Sequence, residues 1–182
     1  FNDYLSVYRK KRNERNAKMC ELITGKFGKF GITLDFEKDV YPLSMAAEGG
    51  SVTERHLLYA LALKLAARFG RTEKLVEFLG NDLGLSVSDK IKGYLLDESN
   101  PHFNYDLLGV LKADTAFFYI EADEEMPEAS EFIKFAKEMG AIPAYAYLGD
   151  VGDSVTGDKK AQKFEDAFLT ELIDELKKDG FL

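Results

Sequence analysis

The spacing of apolar positions along the chain has two styles, and the change falls near residue 116. Before it the spacing is helical. Asn2 to Ile23 sets Leu5, Tyr8, Met19, Leu22 and Ile23 around a polar, basic middle, which predicts one helix ended by Thr24 and Gly25. Gly28 and Gly31 bracket a turn, and Ile32-Thr33-Leu34-Asp35-Phe36 alternates like a short extended piece. Pro42 and Glu48-Gly49-Gly50 predict a loop. Ser51-Val52-Thr53-Glu54 has the form of a capping box, a Ser N-cap with Glu three positions on. The Leu- and Ala-rich run behind it, Val52 to Phe69, predicts a helix closed by Gly70. Three shorter helices follow: Thr72 to Leu79 ended by Gly80, Ser88 to Leu96, and Asn104 to Lys112.

From Ala116 the pattern predicts strands as well. Ala116-Phe117-Phe118-Tyr119-Ile120 is a short aromatic and β-branched run of the kind found in buried strands. Met126-Pro127-Glu128 opens a helix whose inner face is Phe132, Ile133, Phe135, Ala136 and Met139, with Gly140 behind it. Ala141 to Ala146 reads as a second strand, Gly149 to Gly157 as a polar loop, and Lys159 to Lys178 as a last helix burying Phe164, Phe168, Leu169, Leu172, Ile173 and Leu176. This order is a β/α repeat, in which loops after strand C-termini carry chemistry. The expectation is a helix-rich α/β chain: a helical module over 1–115 and a β/α segment over 116–182.

Composition narrows the class. Hydrophobic residues make up 46% and charged residues 31% of 182, with 14 Phe and 9 Tyr to build a core. No apolar run approaches the roughly 20 residues of a membrane span, and Phe1 to Arg15 is too charged for a signal peptide. The lone Cys20 excludes an internal disulfide and suits a reducing compartment, so the cytoplasm is expected. A net charge of -8 argues against an extended nucleic-acid surface. Arg9, Lys10, Lys11, Arg12, Arg15 and Lys18 nevertheless crowd the first helix, which leaves room for a local phosphate site. The chain starts without Met inside a helical pattern and stops at Gly180-Phe181-Leu182, so it reads as an interior piece of a longer protein.

Three stretches in order resemble the PHP (polymerase and histidinol phosphatase) family of metal-dependent phosphoesterases, especially its nucleotide- and oligonucleotide-hydrolysing members. Arg12-Asn-Glu-Arg15-Asn-Ala-Lys-Met19 is similar to the basic helix that opens the family's helical insert. Ser51 to Leu58 is similar to its helix start with a histidine, here His56. Phe118-Tyr119-Ile120, Glu128-Ala129, Phe132-Ile133 and Gly140 to Gly149 resemble its strand, helix and strand ending in Ala-His-Pro-Gly. The resemblance implies a partial PHP-type β/α barrel with a helical insert. It also implies a metal-activated hydroxide that attacks phosphorus in the full-length parent, with Mn, Zn or Fe as the divalent metal. Departures are as informative. No His-x-His pair or Asp-x-His is present, and the metal-ligand histidine of Ala-His-Pro aligns with Tyr147, whose phenol is a poor ligand for such ions. The chain alone is expected to have no catalytic residue, no metal ligand and no cofactor.

By the same resemblance His56 contacts a substrate phosphate, with Arg12, Arg15 and Arg55 as its cationic neighbours. The chemistry is suitable: an imidazole at a helix start and guanidinium forks both bind phosphate oxygens. The residues by themselves fit equally a histidine covering a first helical turn and arginines that solubilise a surface helix. Asp150 and Asp153 could offer oxygen ligands to a cation, but their spacing fits turn chemistry better. His102 and Cys20 lack partners in sequence. Two functions follow: a segment of a phosphoesterase inactive alone, or a non-catalytic module binding a nucleotide or another phosphate-containing small molecule. Self-association through uncovered strand edges is a further expectation.

Overall fold

A computed structural model describes residues 2–147 and 164–181, and every regular element among them is helical. In chain order these are α1 (Asn2–Phe27), α2 (Glu54–Phe69), α3 (Glu73–Glu77), α4 (Asp89–Leu96), α5 (Phe103–Leu111), α6 (Ala129–Glu138), α7 (Phe164–Ala167) and α8 (Leu169–Asp179). Short 3-10 turns and two π-helical turns, Phe36–Val40 and Phe78–Asp82, join them. The chain divides into two compact units, Asn2–Glu125 and the part from Met126 onward.

The expected α/β barrel segment is therefore corrected: no strand and no sheet occur among the described residues. A strand needs a neighbour to take its backbone N–H and C=O groups, and none of the three candidate stretches finds one. Residues 32–35 have no regular structure; Asp35, itself extended, accepts from the Lys38 N–H at 2.9 Å and turns the chain into Phe36–Val40. Residues 116–120 coil into a turn in which the Phe118 and Tyr119 N–H groups donate to the Thr115 carbonyl at 3.1 and 3.0 Å. The aromatic run plugs a helical core instead of lining a sheet: Phe118 is fully buried and Phe117 meets Phe27 at 6.0 Å. Residues 141–147 have no regular secondary structure and no partner strand among the described residues. With no sheet, there is no strand edge among the described residues to support self-association. The loop expected over 149–157, with Asp150 and Asp153, lies outside them.

The first unit closes around its own core. α1 buries a stripe at Asn16, Met19, Cys20, Ile23 and Phe27, spaced three and four apart as one helical face requires. α2 contributes Leu57, Leu58, Leu61, Ala62 and Leu65, and packs most closely with α5 through Leu107, Val110 and Leu111. Phe78 joins the elements. It stacks on Phe69 at 4.7 Å and meets the Phe30 edge at 4.8 Å. Gly80 does not end α3 as expected; the π turn carries the chain through it to Gly84, whose φ of 68° suits glycine. Residues 116–125 belong with this unit because Phe118 and Glu125 are buried in it.

The second unit holds α6, α7 and α8. Ile133 and Ala136 are buried as the α6 pattern predicts, and Tyr145 donates to Glu165 at 2.6 Å. Phe132, Met139, Phe168, Leu169 and Ile173, expected on inner faces, are exposed.

Candidate functional site

The helix that opens at Glu54 is capped two residues later than its sequence suggests. Thr53, not Ser51, is the N-cap, and the residue three positions on is His56 rather than Glu54. The Thr53 N–H donates to His56 Nδ1 at 2.9 Å, and Thr53 Oγ1 lies 3.1 Å from the same nitrogen. His56 thus takes the place a Glu or Gln occupies in a capping box, satisfying the orphan N–H of the cap residue. Its Nδ1 must be unprotonated to accept. The ring is half-buried, and its only polar partners among the described residues are in Thr53. Arg55, next to it, is exposed.

The expected partners of His56 are engaged elsewhere. Arg15 lies buried on the side of α1 that faces Glu125, and each of its five N–H donors has an acceptor. Nε reaches Glu125 Oε2 at 2.8 Å; Nη2 reaches Glu125 Oε1 at 2.9 Å and Glu54 Oε1 at 2.6 Å. Nη1 reaches the Ile120 carbonyl at 2.7 Å and Met19 Sδ at 3.8 Å. No donor remains for a phosphate in this arrangement. Arg15 is an internal node joining α1, the start of α2 and the 120–125 turn. Burial works downward on its pKa, but the carboxylates of Glu125 and Glu54 outweigh it and raise it further. Burial works upward on Glu54, where its own N–H and the Arg15 guanidinium outweigh it and hold the group below the usual carboxylate range.

Arg12, three residues back on the same side of α1, binds Glu125 Oε1 through Nε alone, at 3.1 Å. Its two terminal nitrogens stay available. Arg12 also borders an open cleft of about 410 Å³ along α1. Ser6, Lys10, Asn13 and Ala17 give one wall at helical spacing, with Arg9, Arg12 and Glu14 beside them. Phe36, Glu37 and Tyr41 from the π turn, with Ala46, Gly50 and Ser51, give the other. Gly50 is required there, since a Cβ would sit 2.8 Å from the Met45 carbonyl oxygen. Arg9 pairs with no acid among the described residues, and Lys10 holds Glu14 only at 4.0 Å with both side chains largely exposed. His56 does not border this cleft.

A second cleft, about 240 Å³, has Lys11, Arg15 and Lys18 opposite Glu121, Asp123, Glu124 and Glu125. Its acids outnumber its cations, so it disfavours an anionic ligand. Cys20 is buried in the α1 stripe, and burial together with Asp35, Asp39 and Glu21 pushes its thiol up to about 12, which keeps it protonated and unreactive. Tyr147 donates to Asp166, and Tyr145, bonded to Glu165, is pushed above the usual phenol range by that bond. Among the described residues no cluster of His, Cys, Asp and Glu could hold a metal ion. None of their helices is long and apolar enough to cross a membrane.

Sequence reasoning singled out His56, Arg12, Arg15 and Arg55, named Arg9 only within the basic run of α1, and missed Tyr41 and Glu125. Glu125 is one of four acids within Glu121–Glu125, and nothing in the sequence separates the one that is buried. Comparison with protein-family models, with curated proteins and with solved structures finds no match to this chain.

Proposed function

We propose that the Asn2–Glu125 unit is a non-catalytic module that binds a small molecule carrying phosphate, seated in the cleft along α1. The observation that carries this reading is the pairing state of the cleft's cations. Arg9 has no acid partner among the described residues, and Arg12 is held through Nε by Glu125 with its terminal nitrogens available. A guanidinium fixed at one edge presents the other as a preorganised fork, the geometry that suits two phosphate oxygens. A cleft of about 410 Å³ lies within the usual range of small-molecule sites, roughly 300–1,000 Å³. Calorimetric titration of the chain with pyrophosphate tests the reading. Saturable binding that weakens with salt is expected, with a loss of at least about tenfold in Arg9→Gln/Arg12→Gln at an unchanged melting temperature. Equal affinity of the double variant would overturn it.

A second reading, a segment of a metal-dependent phosphoesterase, is favoured by the ordered PHP-like stretches around Arg12, His56 and Gly140. Its metal ligands would have to come from residues other than the described ones. Phosphate release by the pure chain with manganese, abolished by chelation, would favour this reading over the first; no release is expected.

A further inference from the structure

Resting on the phosphate-binding reading, we infer that the α1 cleft selects a planar aromatic ring carrying a single phosphate. Two features of its lining support the choice. The first is the aromatic wall. Phe36 and Tyr41 meet edge to face, with centroids 6.1 Å apart and planes at 69°, and both border the cleft. Phe36 is 8% exposed and belongs to the core, so it fixes Tyr41, which stays half-buried. An aromatic ring held by another ring offers a flat apolar face at little entropic cost, and that face rewards a stacked planar ligand over a sugar or an inorganic anion.

The second feature is charge. Arg9, Lys10 and Arg12 stand against Glu14 and Glu37, three cations to two carboxylates, for a net charge of one positive. A triphosphate brings several negative charges to that lining, and the carboxylates of Glu14 and Glu37 repel what the cations cannot neutralise. One phosphate, at about -1.5 to -2, leaves the smallest excess of negative charge. The same carboxylates accept hydrogen bonds, so ring amino groups or sugar hydroxyls on the ligand have partners. Lys10 and Glu14 are loosely paired at 4.0 Å and can part without loss of a close contact.

Adenosine monophosphate, ribose 5-phosphate and adenosine triphosphate titrated into the full chain separate the two features. The monophosphate is expected to bind at least about tenfold more tightly than ribose 5-phosphate, and more tightly than the triphosphate at physiological salt. Tyr41→Leu should bring the monophosphate down to the ribose 5-phosphate level and leave ribose 5-phosphate unchanged. Tyr41→Phe, which keeps the ring, should keep the preference and shows that the site still folds. Equal binding of monophosphate and ribose 5-phosphate by the native chain would overturn the aromatic assignment while the phosphate-binding reading stands. Tighter binding of the triphosphate would overturn the single-phosphate assignment. Binding of none of the three, with pyrophosphate also silent, would remove the phosphate-binding reading itself.

Discussion

Helices α2 and α8 both repeat leucines at helical spacing, α2 on a largely apolar helix and α8 on a sharply two-faced one, and they end in different surroundings. In α2 the stripe Leu57, Leu58, Leu61, Leu65 is buried to within 3% of full coverage, because α1 and α5 close over it. In α8, Leu169 and Ile173 remain 41% and 40% exposed, and Leu172 and Leu176 are only half covered. The same contrast holds for the units as wholes. Among the described residues the contiguous core of buried side chains lies entirely within Asn2–Glu125, whereas the second unit buries Ile133 and Ala136 as its apolar residues. Amphipathic spacing fixes which face a helix can bury, and the partner decides whether that face is buried. The tests below strain this contrast, starting with the change expected to matter most.

The first strikes the polar node that closes the first unit. Glu125→Ala leaves the Arg15 guanidinium buried with its main acceptor gone, and removing one partner of a buried pair costs about 3–5 kcal/mol. Chemical denaturation should lose most of the cooperative transition. Adding Arg15→Met to that background should restore much of it, since an apolar side chain leaves no uncompensated charge. Acid acts on the node through Glu54. Its folded pKa lies below its unfolded value, so its contribution is fully present above the unfolded value and disappears as pH falls through the folded one. A denaturation midpoint independent of pH from 6 down to 3 would remove Glu54 from the account.

The second test sets one buried leucine against one exposed isoleucine. Leu107, on α5, is fully buried, and Leu107→Ala should cost about 2–5 kcal/mol. Ile173→Ala on α8 should stay within about 0.5 kcal/mol. Hydrogen exchange should agree, with amides of α2 and α5 protected far longer than those of α8. Comparable losses from both substitutions would show that the face of α8 is covered after all.

What the sequence disclosed follows the same division. Local signals were legible: the α2 run closed by Gly70, the helix over Ser88 to Leu96 and Gly140 behind α6 all stand as read. Signals that depend on distant partners were not. Phe117 and Phe118 have the strand-forming character of a sheet core, but they meet the helical core around Phe27 and no strand. Arg12 and Arg15 are equivalent in sequence, three apart on one helix, and both reach Glu125 more than a hundred residues later; Glu54 and the Ile120 carbonyl, which Arg15 binds and Arg12 does not, separate them. The cleft was invisible for a like reason. Arg9 and Tyr41 share it only because the Phe36–Val40 turn folds back against α1.

The smallest expected effect concerns His56, the residue on which the phosphate expectation first rested. In the structure its Nδ1 accepts the Thr53 N–H at 2.9 Å, closing the first turn of α2. A capping contact of this kind contributes about 0.5–2 kcal/mol, so His56→Ala should lower the melting temperature by a few degrees. His56→Gln should recover nearly all of that, because Gln at this position also reaches back to the cap N–H. Neither variant should change binding of pyrophosphate, because His56 does not border the α1 cleft and makes no hydrogen bond to Arg12 or Arg15. The two quantities therefore move independently: stability follows the ability of residue 56 to accept a hydrogen bond, and affinity follows Arg9 and Arg12. If His56→Gln kept the melting temperature but lost pyrophosphate, the ring would be a ligand for phosphate and the site would belong at the start of α2.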